Sequence, residues 1–106
     1  MFGKTKDTYN TTDTDRKLIR KHMVFHGEVQ AVGFRFTATQ AAKMYGCTGW
    51  CRNEYDGTVT VEIQGTAEEI AAVIATIKSR SHIVVDWIDS EDISVVSDER
   101  RFGVMY

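Results

Sequence analysis

Gly27-Glu28-Val29-Gln30-Ala31-Val32-Gly33-Phe34-Arg35 is the stretch whose reading decides the fold. An apolar, β-prone run precedes it (Met23, Val24, Phe25). Apolar residues at helical spacing follow it: Phe34, Ala38, Ala41, Ala42 and Tyr45 share one face. A short loop of small and apolar residues therefore joins a strand to a helix and ends in an arginine. Such a loop suits an anion, because its N–H groups and those of the first helical turn converge on one space at the positive end of the helix dipole. Gly33 permits backbone angles that a Cβ would forbid. Arg35 can close over an anion with a planar fork that meets oxygens in pairs. The residues alone leave a second reading open, an ordinary strand-to-helix turn with an exposed arginine, because short glycine motifs recur by chance.

Working outward, the helix is expected from about Gly33 to Tyr45, with Gly46 where a C-cap glycine belongs. Upstream, Lys17 to Gly27 turns apolar in patches and reads as the first strand. Downstream, Cys47 to Asn53 reads as the second. Glu54-Tyr55-Asp56-Gly57 is a hairpin connection with an Asp-Gly turn signal. Val59, Val61 and Ile63 then alternate with Thr58, Thr60, Glu62 and Gln64, which predicts a third strand with one wet face. Thr66 to Glu69 is a T-x-x-E capping box. It opens a helix whose apolar face is Ile70, Val73, Ile74 and Ile77. Ile83 to Ile88 reads as a fourth strand, and Phe102, Val104 and Tyr106 alternate as a short last one. Asp89 to Arg101 is polar and shows no internal boundary. The order β-α-β-β-α-β plus a terminal strand predicts an α+β, ferredoxin-like split βαβ sandwich. Two helices would lie on one face of a mainly antiparallel sheet of four to five strands. The fold by itself names no activity.

The chain has 106 residues, enough for one domain with a modest core. Residues 1–16 are polar and lack apolar periodicity, so a flexible extension is expected there and the domain proper over 17–106. The net charge is −2, which supplies no basic field for nucleic acid. No apolar run approaches the roughly 20 residues of a membrane span. The N-terminus lacks the apolar segment of a secretory signal. The expectation is a cytoplasmic monomer with a small-molecule partner and no membrane or nucleic-acid partner.

Val29-Gln30-Ala31-Val32-Gly33-Phe34-Arg35 resembles the signature loop of the acylphosphatase family, G-x-V-Q-G-V-x-F-R. Gly49-Trp50-Cys51-Arg52-Asn53 with Asp56-Gly57 is similar to a second family block, G-W-x-x-N followed by a D/K-G turn. Phe102-Gly103-Val104-Met105-Tyr106 is similar to the family's closing F-x-I-x-Y strand. The resemblance runs from about Met23 to Tyr106 and agrees with the ferredoxin-like order. It implies an enzyme that hydrolyses acyl phosphates to carboxylate and phosphate with neither metal nor organic cofactor. A carboxylate leaves without needing a proton, so the chemistry asks only for a held phosphoryl group, stabilised charge and a water in line. The resemblance assigns phosphoryl binding to Arg35 and the cradle to the loop of Gln30, Ala31, Val32, Gly33, Phe34 and Arg35. It assigns the placing of the water to Asn53. An amide cannot take the water's proton, and the resemblance implies that a phosphoryl oxygen does. Without the resemblance, Asn53 reads as a turn residue before a hairpin.

Three positions depart from the family pattern. Ala31 stands where glycine is usual, and the expectation is that the position needs small size only, since Gly33 remains. Glu54 places a carboxylate beside Asn53 in sequence and is expected to face solvent. Lys78-Ser79-Arg80-Ser81-His82 lacks the family's glycine-proline turn. A rival reading is a phosphate-binding module without turnover. An RNA-binding domain of this fold would need exposed aromatics on central strands in a basic surround, which Val59, Val61 and Ile63 do not provide.

Cys47 and Cys51, with His22 and His26, invite a zinc reading. Residues four apart on a strand lie roughly 13 Å apart, too far to share a metal. A Cys47–Cys51 disulfide fails on the same ground, since bridged Cα atoms lie within about 7 Å. Buried free thiols are expected. His82 reads as a structural or surface histidine, and Trp50, Trp87 and Phe102 as core or sheet-face residues. Arg16, Lys17, Arg20 and Lys21 read as a solvated basic start to the first strand.

Overall fold

The computed structural model describes residues 16–31 and 33–106. The expected extension over 1–16 therefore lies, apart from Arg16, outside the described residues. The chain forms strand β1 (Ile19–Glu28), helix α1 (Phe34–Tyr45), β2 (Thr48–Asn53), β3 (Val59–Gly65), helix α2 (Ala67–Lys78), β4 (Val84–Ile93) and β5 (Phe102–Met105). One sheet holds the strands in the order β4-β1-β3-β2-β5. β3 pairs antiparallel with both β1 and β2, so it sits between the two parallel strands of a split βαβ unit. β4 pairs antiparallel with β1, and β5 runs parallel to β2. The α+β, ferredoxin-like architecture expected from the sequence is what forms.

Strand alternation sorts side chains to two faces. Met23 and Phe25 of β1, Cys51 of β2 and Val59, Val61 and Ile63 of β3 join Phe34, Ala38, Ala41, Ala42, Ile70, Val73 and Ile77 of the helices in one core. The two helices close it at their own ends. Gly46 adopts φ 76° and caps α1, its N–H bonding back to Ala42 and Lys43. The Thr66 hydroxyl accepts from Glu69 N–H at 3.2 Å while the Glu69 carboxylate accepts from Thr66 N–H at 3.0 Å, the capping box read from T-x-x-E.

The opposite face is less wet than the alternation of β3 predicts. Thr60 and Gln64 are buried, and β3 is a central strand rather than an edge. Gln64 bonds Val96 through both its amide groups, so the segment after β4 folds over this face. Arg20 overturns the expectation of a solvated basic start: it is 2% exposed and sits between the carboxylates of Glu62 and Glu99 and the amide of Gln64. Its long stem lies along the sheet, and its charge is met by two carboxylates. Burial works against ionised Arg20, but the bonds and charges of Glu99 and Glu62 outweigh it and raise its pKa.

β4 also runs past the expected end at Ile88, through Asp89 to Ile93. Polar residues hold strand geometry there because the backbone pairs with β1, from Arg20↔Ile93 to Val24↔Asp89. The pairing shifts register at His26 and Gly27, where Gly27 takes φ 136° and a Cβ would lie 2.1 Å from the Val84 carbonyl oxygen. Only glycine fits that approach.

Candidate functional site

The loop between β1 and α1 is pinned on both sides. Val29 is fully buried at its start. At its end the ring of Phe34 meets that of Phe25 edge-on, with centroids 5.0 Å apart. Gly33 is the N-cap of α1 in the left-handed region, at φ 81°. A glycine cap has no side chain to satisfy the first amides, and no acidic residue lies in the first turn. The first bond into the helix is Thr37 N–H to Gly33 C=O, at 2.9 Å. The amides of Phe34, Arg35 and Phe36 precede it at the positive end of the helix.

A cavity of about 190 Å³ opens at this end, lined by Val29, Ala31, Gly33, Phe34, Arg35, Phe36 and Asn53. It is smaller than the ~300–1,000 Å³ of sites built for drug-sized ligands, and its size suits a small anion. The structure thus brings together five of the residues singled out in the sequence: Ala31, Gly33, Phe34, Arg35 and Asn53. Val32 lies outside the described residues. Gln30 does not line the cavity; its side chain turns toward the β2–β3 hairpin, donating to Glu54 C=O at 2.7 Å and Thr58 C=O at 2.8 Å.

Asn53 closes β2 opposite Val59, on the helix-facing side of the sheet. Its Oδ1 is buried and accepts no hydrogen bond among the described residues. A buried acceptor left without a partner costs roughly 1–3 kcal/mol, so a ligand or water is expected to fill that role. Arg35, half-buried, has no carboxylate partner among the described residues. Its guanidinium carbon lies 5.5 Å from the ring centroid of Tyr106, close enough for cation–π attraction. The Cys51 thiol is fully buried; burial pushes its pKa up to about 11 against the opposing charge of Arg35. It stays protonated and supplies no nucleophile at neutral pH.

Ala31 corrects an expectation. It adopts φ 61°, so the position requires the left-handed region and not merely a small side chain. The glycine usual there has no Cβ penalty, whereas alanine is strained by about 1–2 kcal/mol. Glu54 keeps its charge out of the cavity. Its carboxylate accepts from Arg52 Nε at 3.0 Å and Thr60 Oγ1 at 2.6 Å, on the face of the sheet away from Asn53. The Thr60 hydroxyl and the Arg52 guanidinium hold its pKa below the usual value.

Sequence reading gave no role to the Gln30 side chain, to Phe36 or to Tyr106. Tyr106 was reachable in principle, since a last strand placed beside β2 must end near Asn53. Nothing local marks Phe36, an exposed aromatic on α1. Cys47 and Cys51 are free and buried, as expected. His22 pairs with Glu62, while His26 stacks on Trp87 and pairs with Asp89. No group of three or more metal-ligating side chains occurs among the described residues. No helix there is long and apolar enough to cross a membrane.

A family model described as acylphosphatase matches residues 21–104. An acylphosphatase from Geobacillus kaustophilus is 36% identical over 88 residues, covering 82% of this chain and 94% of the relative. One from Bifidobacterium longum is 39% identical over 95 residues, covering 82% and 92%. Among solved structures, an acylphosphatase from Coxiella burnetii superposes with a TM-score of 0.76 at 26% identity, covering 87% of this chain and 99% of that one.

Proposed function

This chain belongs to the acylphosphatase family, and we propose that Arg35 and the main-chain amides of the loop of residues 30–35 hold a phosphoryl group while Asn53 orients the attacking water. The reaction is the hydrolysis of an acyl phosphate to a carboxylate and inorganic phosphate. The single observation that carries the assignment of roles is the shared cavity. Arg35 and the amides of Phe34 to Phe36 bring positive charge to one wall, and the unpaired Asn53 Oδ1 brings an acceptor to another.

The steps follow from those groups. The phosphoryl oxygens take hydrogen bonds from the loop amides and from Arg35, which offset the charge that spreads over them in the transition state. Asn53 Oδ1 accepts a hydrogen bond from one O–H of the water, which keeps that proton, and so turns an oxygen lone pair toward phosphorus. The water oxygen bonds to phosphorus as the bond from phosphorus to the acyl oxygen breaks. The electron pair leaves with the carboxylate, which needs no proton. The water's second proton passes to a phosphoryl oxygen, because the asparagine amide has no useful basicity. The grip is on the phosphoryl end, so many acyl groups are accepted. The scheme requires no metal.

The same reading takes residues 17–106 as the catalytic domain and places it in the cytoplasm, supported by the free, buried thiols of Cys47 and Cys51. It takes the enzyme as a monomer, because one chain supplies the loop, Arg35 and Asn53 to a single cavity. The test is hydrolysis of benzoyl phosphate by the purified chain in excess chelator. Turnover above the spontaneous rate supports the reading. Saturable binding of inorganic phosphate without turnover overturns it and makes the chain a phosphate-binding module.

A further inference from the structure

Gln30 makes the only side-chain bonds among the described residues from the loop before Gly33 to the β2–β3 hairpin. Both protons of its carboxamide nitrogen are used, one on Glu54 C=O at 2.7 Å and one on Thr58 C=O at 2.8 Å. These carbonyls flank the turn that joins β2 to β3. They also close the hairpin itself, since Glu54 N–H donates to Thr58 C=O at 2.9 Å and Gly57 N–H to Glu54 C=O at 3.3 Å. Glu54 is the residue after Asn53: its C=O, in the Glu54–Tyr55 peptide unit, takes the bond from Gln30, while its N–H, in the peptide unit beside Asn53, donates to the Thr58 C=O that Gln30 also bonds. At the other end, Val29 is fully buried and anchors the backbone next to Gln30. Gln30 itself lines no part of the cavity.

We propose that Gln30 is a positioning residue: its carboxamide sets the distance between the loop that holds the phosphoryl group and the Asn53 that orients the water. The proposal rests on the roles given above to Arg35 and Asn53. It predicts that Gln30 governs kcat and leaves phosphate affinity nearly untouched, because the loop and Arg35 remain in place when the tie is cut. The chemistry of the side chain is specific. Among uncharged side chains, a primary amide alone offers two protons from one nitrogen to two carbonyls. A carboxylate offers none and repels both, whereas a carboxylic acid offers one. The ionisable neighbours are Glu54, paired with Arg52, Asp56, which accepts from Thr58 and feels the charge of His26, and Glu28 at the end of β1. A carboxyl placed at Gln30 would face the carbonyl oxygens of Glu54 and Thr58, which favour its protonated form and raise its pKa.

The experiment compares wild type, Gln30→Met, Gln30→Glu, Arg35→Ala and Asn53→Ala with benzoyl phosphate as substrate and inorganic phosphate as inhibitor, across a range of pH, with each fold checked by circular dichroism. Gln30→Met keeps the volume and loses the donors. Its kcat is expected to fall on the order of 10–100-fold, with phosphate inhibition close to wild type. Gln30→Glu is expected to gain activity as pH falls, along a limb that wild type lacks, since protonation restores one donor. Circular dichroism of the variant at each pH separates that limb from a pH-dependent loss of fold. If Arg35→Ala and Asn53→Ala are inactive but Gln30→Met keeps the wild-type kcat, or the Gln30→Glu profile parallels wild type, the positioning role is overturned alone. If Arg35→Ala and Asn53→Ala turn over normally, the site reading fails and the Gln30 proposal falls with it.

Discussion

The Glu54 carboxylate accepts a hydrogen bond from Arg52 Nε at 3.0 Å, one residue away from Asn53 but on the other face of the sheet. Thr60 Oγ1 holds it from a second side at 2.6 Å. Alternation along β2 thus separates a negative charge from the cavity it adjoins in sequence. Removing Arg52 frees Glu54 to swing and repel an anion. Arg52→Ala is expected to weaken inhibition by inorganic phosphate by up to roughly fivefold, the scale of an exposed ion pair. Glu54→Gln leaves that inhibition at the wild-type level or strengthens it. Phosphate inhibition constants at low ionic strength check both.

Ala31 carries strain that glycine would release. Ala31→Gly removes a Cβ from a residue at φ 61° but adds freedom to the unfolded chain. The net expectation is a gain of up to about 1 kcal/mol in stability. Ala31→Val is expected to destabilise, since a β-branched residue at positive φ is a true outlier. Urea denaturation of the two variants beside wild type measures this.

Cys47 and Cys51 have thiols that burial pushes up to about 11. Both are protonated at neutral pH and shielded from solvent. Alkylation by iodoacetamide is therefore expected to be slow in the native protein and to reach both residues only after unfolding. Mass spectrometry of timed reactions checks this. Rapid labelling of either thiol under native conditions contradicts the burial of both.

Arg20 and Glu99 predict a pH dependence of stability. Burial raises the Glu99 pKa, but the hydrogen bonds from Arg20 and Thr48 and the charge of Arg20 outweigh it, so the folded value is lowered. A carboxyl with a lowered folded pKa stabilises above its ordinary, unfolded value. The contribution is lost as pH falls through the folded value. Glu99→Gln is expected to cost about 1–3 kcal/mol at neutral pH, because it leaves the buried guanidinium of Arg20 with Glu62 as its one remaining carboxylate among the described residues. The gap between variant and wild type closes as acid protonates Glu99 in both states. Thermal denaturation at stepped pH follows the closing gap.

Much of this was legible because local chemistry and fold agree. The apolar face of α1, Gly46 beyond it, the T-x-x-E box of α2 and the alternation of β3 each depend on neighbours in sequence. The parts that were not legible depend on neighbours in space. Arg20 looks solvated until Glu62 and Glu99 are brought to it from β3 and from the segment after β4. Asp89 to Ile93 carry no apolar pattern, and only pairing with β1 makes them a strand. In the site, Gly33, Arg35 and Asn53 could be named from their motifs. The left-handed backbone at Ala31 could not, since sequence reports the residue and not the angle. The Gln30 tie was hidden as well, because its acceptors are main-chain carbonyls that any residue supplies.

The central claim is a division of labour: Arg35 binds the phosphoryl group and Asn53 orients the water. It is tested most directly by kcat and by phosphate inhibition, measured together for wild type, Arg35→Ala and Asn53→Ala with benzoyl phosphate in excess chelator. Asn53→Ala is expected to lose kcat by roughly 100-fold or more while inorganic phosphate still inhibits it as it does wild type. Arg35→Ala is expected to lose phosphate inhibition as well as turnover. A folded Asn53→Ala enzyme that keeps the wild-type kcat, or an Arg35→Ala enzyme that still binds phosphate as wild type does, would contradict it.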